Sequence, residues 1–249
     1  MDRAPFGLIR RIGPFLWPWL ALLALAALMP MTAPLFQAWF PDNPHPLYRR
    51  ASFLELTLAH AILVGVSSLV AAIIGIGAAL VVTSDKGRAF LPMAGALAAI
   101  GQTFPPLAVL ALAVPALGYG LAPTLVALVL YTILPILEMT IAGLENVPQG
   151  VREAARGLGF SPLGLLWRVR LPLAAPFILA GLRTALIINI GTATIGSSVG
   201  ALSLGSPIIE GLSASNTAYV IQGAVIVAAF AIATDRSFAA IAALRDRRA

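Results

Sequence analysis

The sequence predicts an all-α integral membrane protein of about six transmembrane helices. Three observations lead there. Of the 249 residues, 59% are hydrophobic and 10% are charged, whereas soluble domains carry about 25% charged residues. Mean hydropathy is +0.94. Predominantly apolar runs lie near 15–37, 54–82, 90–113, 121–141, 176–200 and 216–241, and each reaches the roughly 20 residues a helix needs to cross hydrocarbon.

The first run follows Arg3, Arg10 and Arg11. A basic start before an apolar stretch also describes a cleaved signal peptide over residues 1–33. The run continues past Pro30 toward Trp39 with no clear A-x-A cleavage site after a short core, so a retained helix is expected, with Trp17 and Trp19 in the interfacial aromatic belt. A proline-rich segment, 40–46, leads to the second run. His60, early in that run, is expected to be a helix-packing or interfacial group and not a ligand; His45, in the loop, is the other histidine, and two separated histidines make no metal site.

After a short segment at 84–88 the third run carries Gln102 and Thr103, then Pro105 and Pro106. Proline within a span frees carbonyls that protein or cavity water must satisfy, so a kinked, path-lining segment is expected there. Beyond the turn at Gly118 and Gly120, the fourth run bears Glu138. An ionisable group at that depth faces protein or a watery cavity, and pairing with Arg183 is the structural alternative.

The connection at 145–172 is the one long one. Asn146 and Pro148 form a helix-start signal, with Gly157 and Gly159 as a stop. Ser161-Pro162 repeats the start signal; residues 163–170 are expected to form a second short helix that Leu171-Pro172 ends. Their faces mix Val151, Leu158, Phe160, Leu165, Leu166 and Trp167 with Arg152, Glu153, Arg156, Arg168 and Arg170. Such a hairpin either docks in a groove of another protein or lies flat on headgroups. The fifth run holds Asn189, Thr192, Thr194, Ser197 and Ser198 among Gly191, Gly196 and Gly200. Helical spacing puts Asn189, Thr192 and Gly196 on one face, beside Gly191, Thr194 and Ser198. That sector lines a water-filled path or lets helices approach closely. A short segment, 204–216, precedes the sixth run.

Six spans place both termini on one side. If that side is the cytoplasm, Arg3, Arg10, Arg11, Lys86, Arg88, Arg152, Arg156, Arg168, Arg170, Arg245, Arg247 and Arg248 lie inside, leaving Arg49 and Arg50 outside, the asymmetry that cytoplasmic loops display. Arg183 and Arg236, near span ends, can snorkel to headgroups. A pI near 10.7 therefore reflects topology, and no nucleic-acid partner is expected.

Glu153-Ala154-Ala155, three residues, Gly159, nine residues, then Val169-x-Leu171-Pro172 resembles the E-A-A-x3-G-x9-I-x-L-P signature of ABC importer permeases, with Val169 for Ile as the single departure. The resemblance implies the type I ABC importer permease fold, in which this segment forms coupling helices seated on cytoplasmic ATPase subunits. Gln102 to Pro105, Gly118 to Gly120, Ala127 to Tyr131 with Leu134-Pro135, and Ile188 to Thr194 are similar to the osmoprotectant branch, which imports glycine betaine, choline and related quaternary amines. Glu138-Met139 stands where that branch commonly has Arg-Asn, and 201–205 replaces a more glycine-rich turn; either could mark another solute, such as ergothioneine.

What the resemblance implies is one transmembrane permease domain over 1–249: an N-terminal helix and outside loop to 52, a core bundle over 53–241, and the coupling segment at 145–172. It implies a multi-pass protein of the bacterial inner membrane with both termini cytoplasmic. Expected partners are ABC ATPase subunits, a second permease subunit, an external solute-binding protein and the bilayer. No cofactor is expected in this chain, ATP and Mg belonging to the ATPase. Glu153, Ala154, Ala155, Gly159, Val169, Leu171 and Pro172 are the coupling residues; Gln102, Thr103, Pro105, Glu138, Asn189, Thr192, Thr194 and Ser198 are path candidates.

Several rivals fail on the residues. The chain has no cysteine, which removes thiol chemistry, and no G-x4-G-K-[ST] sequence, so it is not itself the ATPase. A secondary transporter should carry mid-span coupling carboxylates or an inverted repeat, and an embedded enzyme a catalytic constellation. Neither pattern stands out.

Overall fold

A computed structural model of the chain describes residues 4–246, with side chains from 15 to 243 apart from Ala98 and Gln102. Its elements are helical. In order they are α1 (Ala4–Leu28), a 3-10 turn (Met29–Thr32), α2 (Ala33–Trp39), α3 (Phe53–Val82), a 3-10 turn (Arg88–Phe90), α4 (Leu91–Thr103), α5 (Pro106–Leu117) and α6 (Leu121–Glu145). Then come α7 (Gln149–Gly157), α8 (Pro162–Leu165), a π turn (Leu166–Arg170), α9 (Leu171–Ala193), a 3-10 turn (Ile195–Val199), α10 (Ser206–Ser213) and α11 (Thr217–Asp246). Five stretches are long and apolar enough to span a membrane, and six if α4 with α5 counts as one broken span. The outward residues of α3, Leu58, Ile62, Leu69 and Ile73, are all exposed, a surface that water does not tolerate over such a length and lipid does. The chain is a multi-span membrane protein.

Two compact units divide the chain: one comprises residues 1–66, 106–128 and 187–249, the other 67–105 and 129–186. In the first, α1 and α10 each pack on α11. Trp19 donates its indole N–H to Ser237 at 2.9 Å and stands edge-on to Phe230, so it faces inward, where an interfacial position was expected. An indole N–H that finds a buried acceptor gains more there than at the headgroups. Trp17 remains outward and exposed. His60 is fully buried and edge-on to Phe230, the packing role its sequence context suggests.

The 40–52 loop is fastened to α10 and α11 within this same unit. Gln222 donates to the Pro46 carbonyl at 2.6 Å and accepts from the Tyr48 N–H at 3.1 Å. Asn43 donates to the Asn216 side chain, which donates onward to the His45 carbonyl. Arg50 pairs with Glu210 at 2.9 Å. α10 itself lies in a segment expected to be a plain connection; Pro207 in its first turn, where the missing N–H costs no bond, is what starts it.

The second unit has a core of Ala71, Ile136 and Ala185, with Ile76, Ile133 and Leu182 around it. α6 and α9 approach closely. A methyl group at Gly181 would meet the Met139 Cβ at 2.7 Å, and one at Gly143 the Phe177 Cβ at 2.7 Å. Small residues at such contacts let backbones near one another in lipid, where apolar burial alone gives no drive.

Candidate functional site

The segment between α6 and α9 is built by local rules. α7 begins at Gln149 with Pro148 as its cap and no capping side chain, so the Asn146 cap expected from sequence does not form. A short side chain two residues before the cap cannot reach the first free N–H groups. Gln149 instead donates to Glu153, one turn on, at 2.6 Å. Ala155 is buried, while Glu153 and Ala154 are exposed. The C-terminus closes as a Schellman motif: Phe160 N–H donates to the Ala155 carbonyl, Gly159 N–H to that of Arg156, and Gly159 has φ +84°. The stop is therefore Gly159 alone, Gly157 being the last helical residue. Ser161 caps α8 by accepting from the Gly164 N–H at 3.1 Å, with Pro162 in the first turn.

The expected stop at Leu171-Pro172 is absent. The chain runs helically from Pro162 through a π turn into α9, and Leu171 N–H donates to the Leu166 carbonyl, five residues back. The wider turn makes room for the Pro172 ring beside the preceding carbonyls and leaves no α-type bond waiting for its missing N–H. Val169 and Leu171 are half-buried, and Pro172 is exposed. Val151, Leu158, Leu163 and Trp167 stand exposed along the same segment, interleaved with Glu153, Arg156 and Arg168. The segment thus offers a partly apolar, partly charged edge on which those four side chains are exposed among the described residues.

The path candidates divide differently from the sequence-based expectation. The third run does not bend as one helix; it breaks at Phe104, which is extended (ψ 130°) ahead of Pro105, as a residue before proline prefers. Thr103, exposed, turns its hydroxyl back to the Ile100 carbonyl at 2.7 Å, and Pro105 is exposed. The Gln102 side chain lies outside the described residues. Glu138 is exposed on α6, and Arg183 is half-buried on α9. Asn189 is buried in the first unit and donates to the Val64 carbonyl of α3 at 3.5 Å.

α9 ends at Ala193 and continues as a 3-10 turn, so the 3.6-residue face drawn through Gly196 and Ser198 is not kept. Gly196 is buried against Thr124. Thr192 and Thr194 are half-buried and Ser198 is exposed; their hydroxyls donate to the carbonyls of Ile188, Gly191 and Ile195. The accessible hydroxyls of this region are those of Thr192, Thr194 and Ser198, with Asn189 inside the helix packing. The hydrogen-bonded fastening of the 40–52 loop has no counterpart among the sequence candidates. Among the described residues, no cluster of acidic and histidine side chains could hold a metal ion.

Comparison with known proteins gives the chain's family. A family profile described as "Binding-protein-dependent transport system inner membrane component" matches residues 71–246. The osmoprotectant import permease protein OsmY of Salmonella typhimurium is 38% identical over 187 residues, covering 75% of this chain and 79% of that protein. The glycine betaine/carnitine/choline transport system permease protein OpuCB of Bacillus subtilis is 41% identical over 174 residues, covering 68% of this chain and 78% of its own. Among solved structures, a chain of the inward-facing MetNI methionine ABC transporter superposes with a TM-score of 0.66 at 22% identity, over 78% of this chain and 94% of that one. That last likeness concerns the fold.

Proposed function

The chain belongs to the binding-protein-dependent transport system inner membrane components, and from that premise we propose that it is the permease of an ATP-driven importer of quaternary amines. Two copies, or this chain and a paralogue, enclose the path, with both termini in the cytoplasm. The segment at 145–172 seats on ATPase subunits, and an external solute-binding protein delivers glycine betaine, choline or a related solute. The observation that carries the reading is the edge of that segment, where Leu158, Leu163 and Trp167 are exposed beside Glu153, Arg156 and Arg168. A mixed apolar and charged edge on a capped helical scaffold suits a protein groove, and the Glu153 to Pro172 residues match the signature of ABC importer permeases. Thr192, Thr194 and Ser198 supply hydroxyls for the path.

The substrate class rests on the relatives' names and on the similarity of residues 102–105 and 188–194 to the osmoprotectant branch. A second solute, a thiol-histidine betaine such as ergothioneine, is the alternative, because Glu138-Met139 and residues 201–205 depart from that branch. The test has two parts. Affinity purification of the tagged chain from its native membrane should bring down an ATPase; a transport-active chain free of any ATPase would sink the importer reading. Calorimetry on the co-purified solute-binding protein with glycine betaine, choline, carnitine and ergothioneine then assigns the solute, and no binding of any of the four would remove the quaternary-amine class.

A further inference from the structure

The 83–88 turn, α7 and the π turn, all in one compact unit, enclose a cavity of about 620 Å3. Arg88, Arg152, Arg156 and Arg170 line it, and Asp85 is the one carboxylate among its lining residues. Arg170 therefore stands in the field of three other guanidinium groups. Two local interactions offset that field: the Asp85 carboxylate attracts it, and its Nη2 donates to the Thr83 carbonyl at 3.4 Å. Arg88 leans outward, 3.7 Å from Glu145 in an exposed pair. The Nε atoms of Arg152 and Arg170 are buried and have no acceptor among the described residues.

Four like charges gathered on three short elements repel one another, and a buried N–H of a charged group without an acceptor costs more than a neutral one. Both terms reverse when an oxyanion is shared among the guanidinium groups. A carboxylate has two oxygens in one plane and serves one guanidinium fork well. Inorganic phosphate presents four oxygens tetrahedrally, and a phosphodiester headgroup two charged oxygens beside two ester oxygens in the same tetrahedron, so both can meet forks converging from several directions. Basic pockets at the cytoplasmic ends of transmembrane helices also face the headgroups of anionic lipids.

We propose that this cleft binds a phosphate group, carried by an anionic phospholipid headgroup or free in solution. Bound there, the phosphate ties the end of α3 to α7 and the π turn, and so fixes the 149–170 segment to the helix bundle. The inference does not depend on the importer reading, since it concerns an equilibrium of the permease chain alone.

The experiment is thermal unfolding of the full-length chain in nonionic detergent, titrated at constant ionic strength with inorganic phosphate or with dihexanoyl-phosphatidylglycerol. Sodium acetate and dihexanoyl-phosphatidylcholine are the controls. A saturable rise in Tm is expected with one or both probes. A rise with phosphatidylglycerol alone assigns the lipid headgroup, and a rise with inorganic phosphate assigns the free anion as sufficient. Arg156→Gln, exposed at the rim and so compatible with folding, should weaken the response roughly tenfold in concentration, the worth of one charge-assisted contact. Arg168→Gln, outside the cavity, should leave it intact. No response to either probe, as a cleft made for a docking protein's carboxylate would give, overturns the proposal. So does an equal shift with acetate or phosphatidylcholine, or an undiminished response in Arg156→Gln.

Discussion

The Tyr131 hydroxyl donates to the Phe104 carbonyl, joining α6 to the point where the third apolar run breaks. Pro105 and Pro106 supply no N–H groups for the last carbonyls of α4, and at membrane depth an unpaired carbonyl is costly. Tyr131 answers that need from 27 residues away. Tyr131→Phe keeps the ring and removes the donor, so the expected loss is about 1 kcal/mol, rising to about 3 if the carbonyl stays dry. Thermal unfolding in detergent measures it, and an unchanged Tm would mean that another donor serves the carbonyl.

Gly159 carries the Schellman turn at φ +84°, where a Cβ costs roughly 1–2 kcal/mol and asparagine less than most residues. No heavy atom would crowd a side chain there, so the constraint is the backbone. Gly159→Val should impair uptake severely, Gly159→Asn mildly, with membrane insertion and abundance unaffected in both. Glu153→Arg, which turns the Gln149 contact into a cation beside the edge proposed to dock, should abolish uptake. Normal uptake by well-expressed Gly159→Val and Glu153→Arg together would remove the coupling role.

What could be read from the sequence follows the range of each cause. Spans are legible because hydrocarbon thickness sets a length that composition must fill, and the Ser161 cap and Gly159 stop are legible because they act within four residues. The π turn was not, since Pro172 reads as a stop unless the carbonyls behind it are given a wider turn. Nor was the fastening of the 40–52 loop: Gln222 and Pro46 stand 176 residues apart, and nothing near either residue signals the other. The polar residues of 189–198 are half legible, because extrapolating one helical period past Ala193 puts Gly196 beside Asn189 and misses the change to a tighter turn. The inward place of Trp19 is not legible, because only the fold supplies Ser237.

Gln222 is fully buried and serves both a carbonyl and an N–H of the 40–52 loop. Gln222→Leu leaves both groups without a partner, at about 1–3 kcal/mol each. Gln222→Glu retains the acceptor for Tyr48 and should lose less if it takes up a proton. Limited proteolysis should cut the 40–52 loop faster in Gln222→Leu than in the parent, and equal cleavage rates would show that Arg50–Glu210 and Asn43–Asn216 hold the loop without it.

Tyr48 in that loop has its phenol pKa raised above 10.0, first by burial and then by the Glu210 carboxylate. The folded state therefore holds this proton more tightly than the unfolded chain does. Its contribution is fully present below pH 10 and is lost as pH rises through the raised folded value. The parent should lose loop protection above about pH 10 more steeply than Tyr48→Phe, in which no proton can leave. Parallel profiles would assign alkaline loosening to another group.

Asn189 decides between a path and a packing role for its face. A residue lining a path touches water and solute, so its replacement changes uptake and leaves stability near the parent's. Asn189 is only 1% exposed and bonds to the Val64 carbonyl on α3, and Asn189→Leu should therefore lower Tm, by about 1–2 kcal/mol of stability. Thr192→Val and Ser198→Ala remove hydroxyls that already satisfy themselves on the preceding turn, so their stability cost should be small. If Thr192, Thr194 and Ser198 line the path, those variants instead shift the KM for the transported solute. A stable Asn189→Leu with altered KM, beside Thr192→Val and Ser198→Ala variants transporting normally, would return Asn189 to the path and remove those hydroxyls from it.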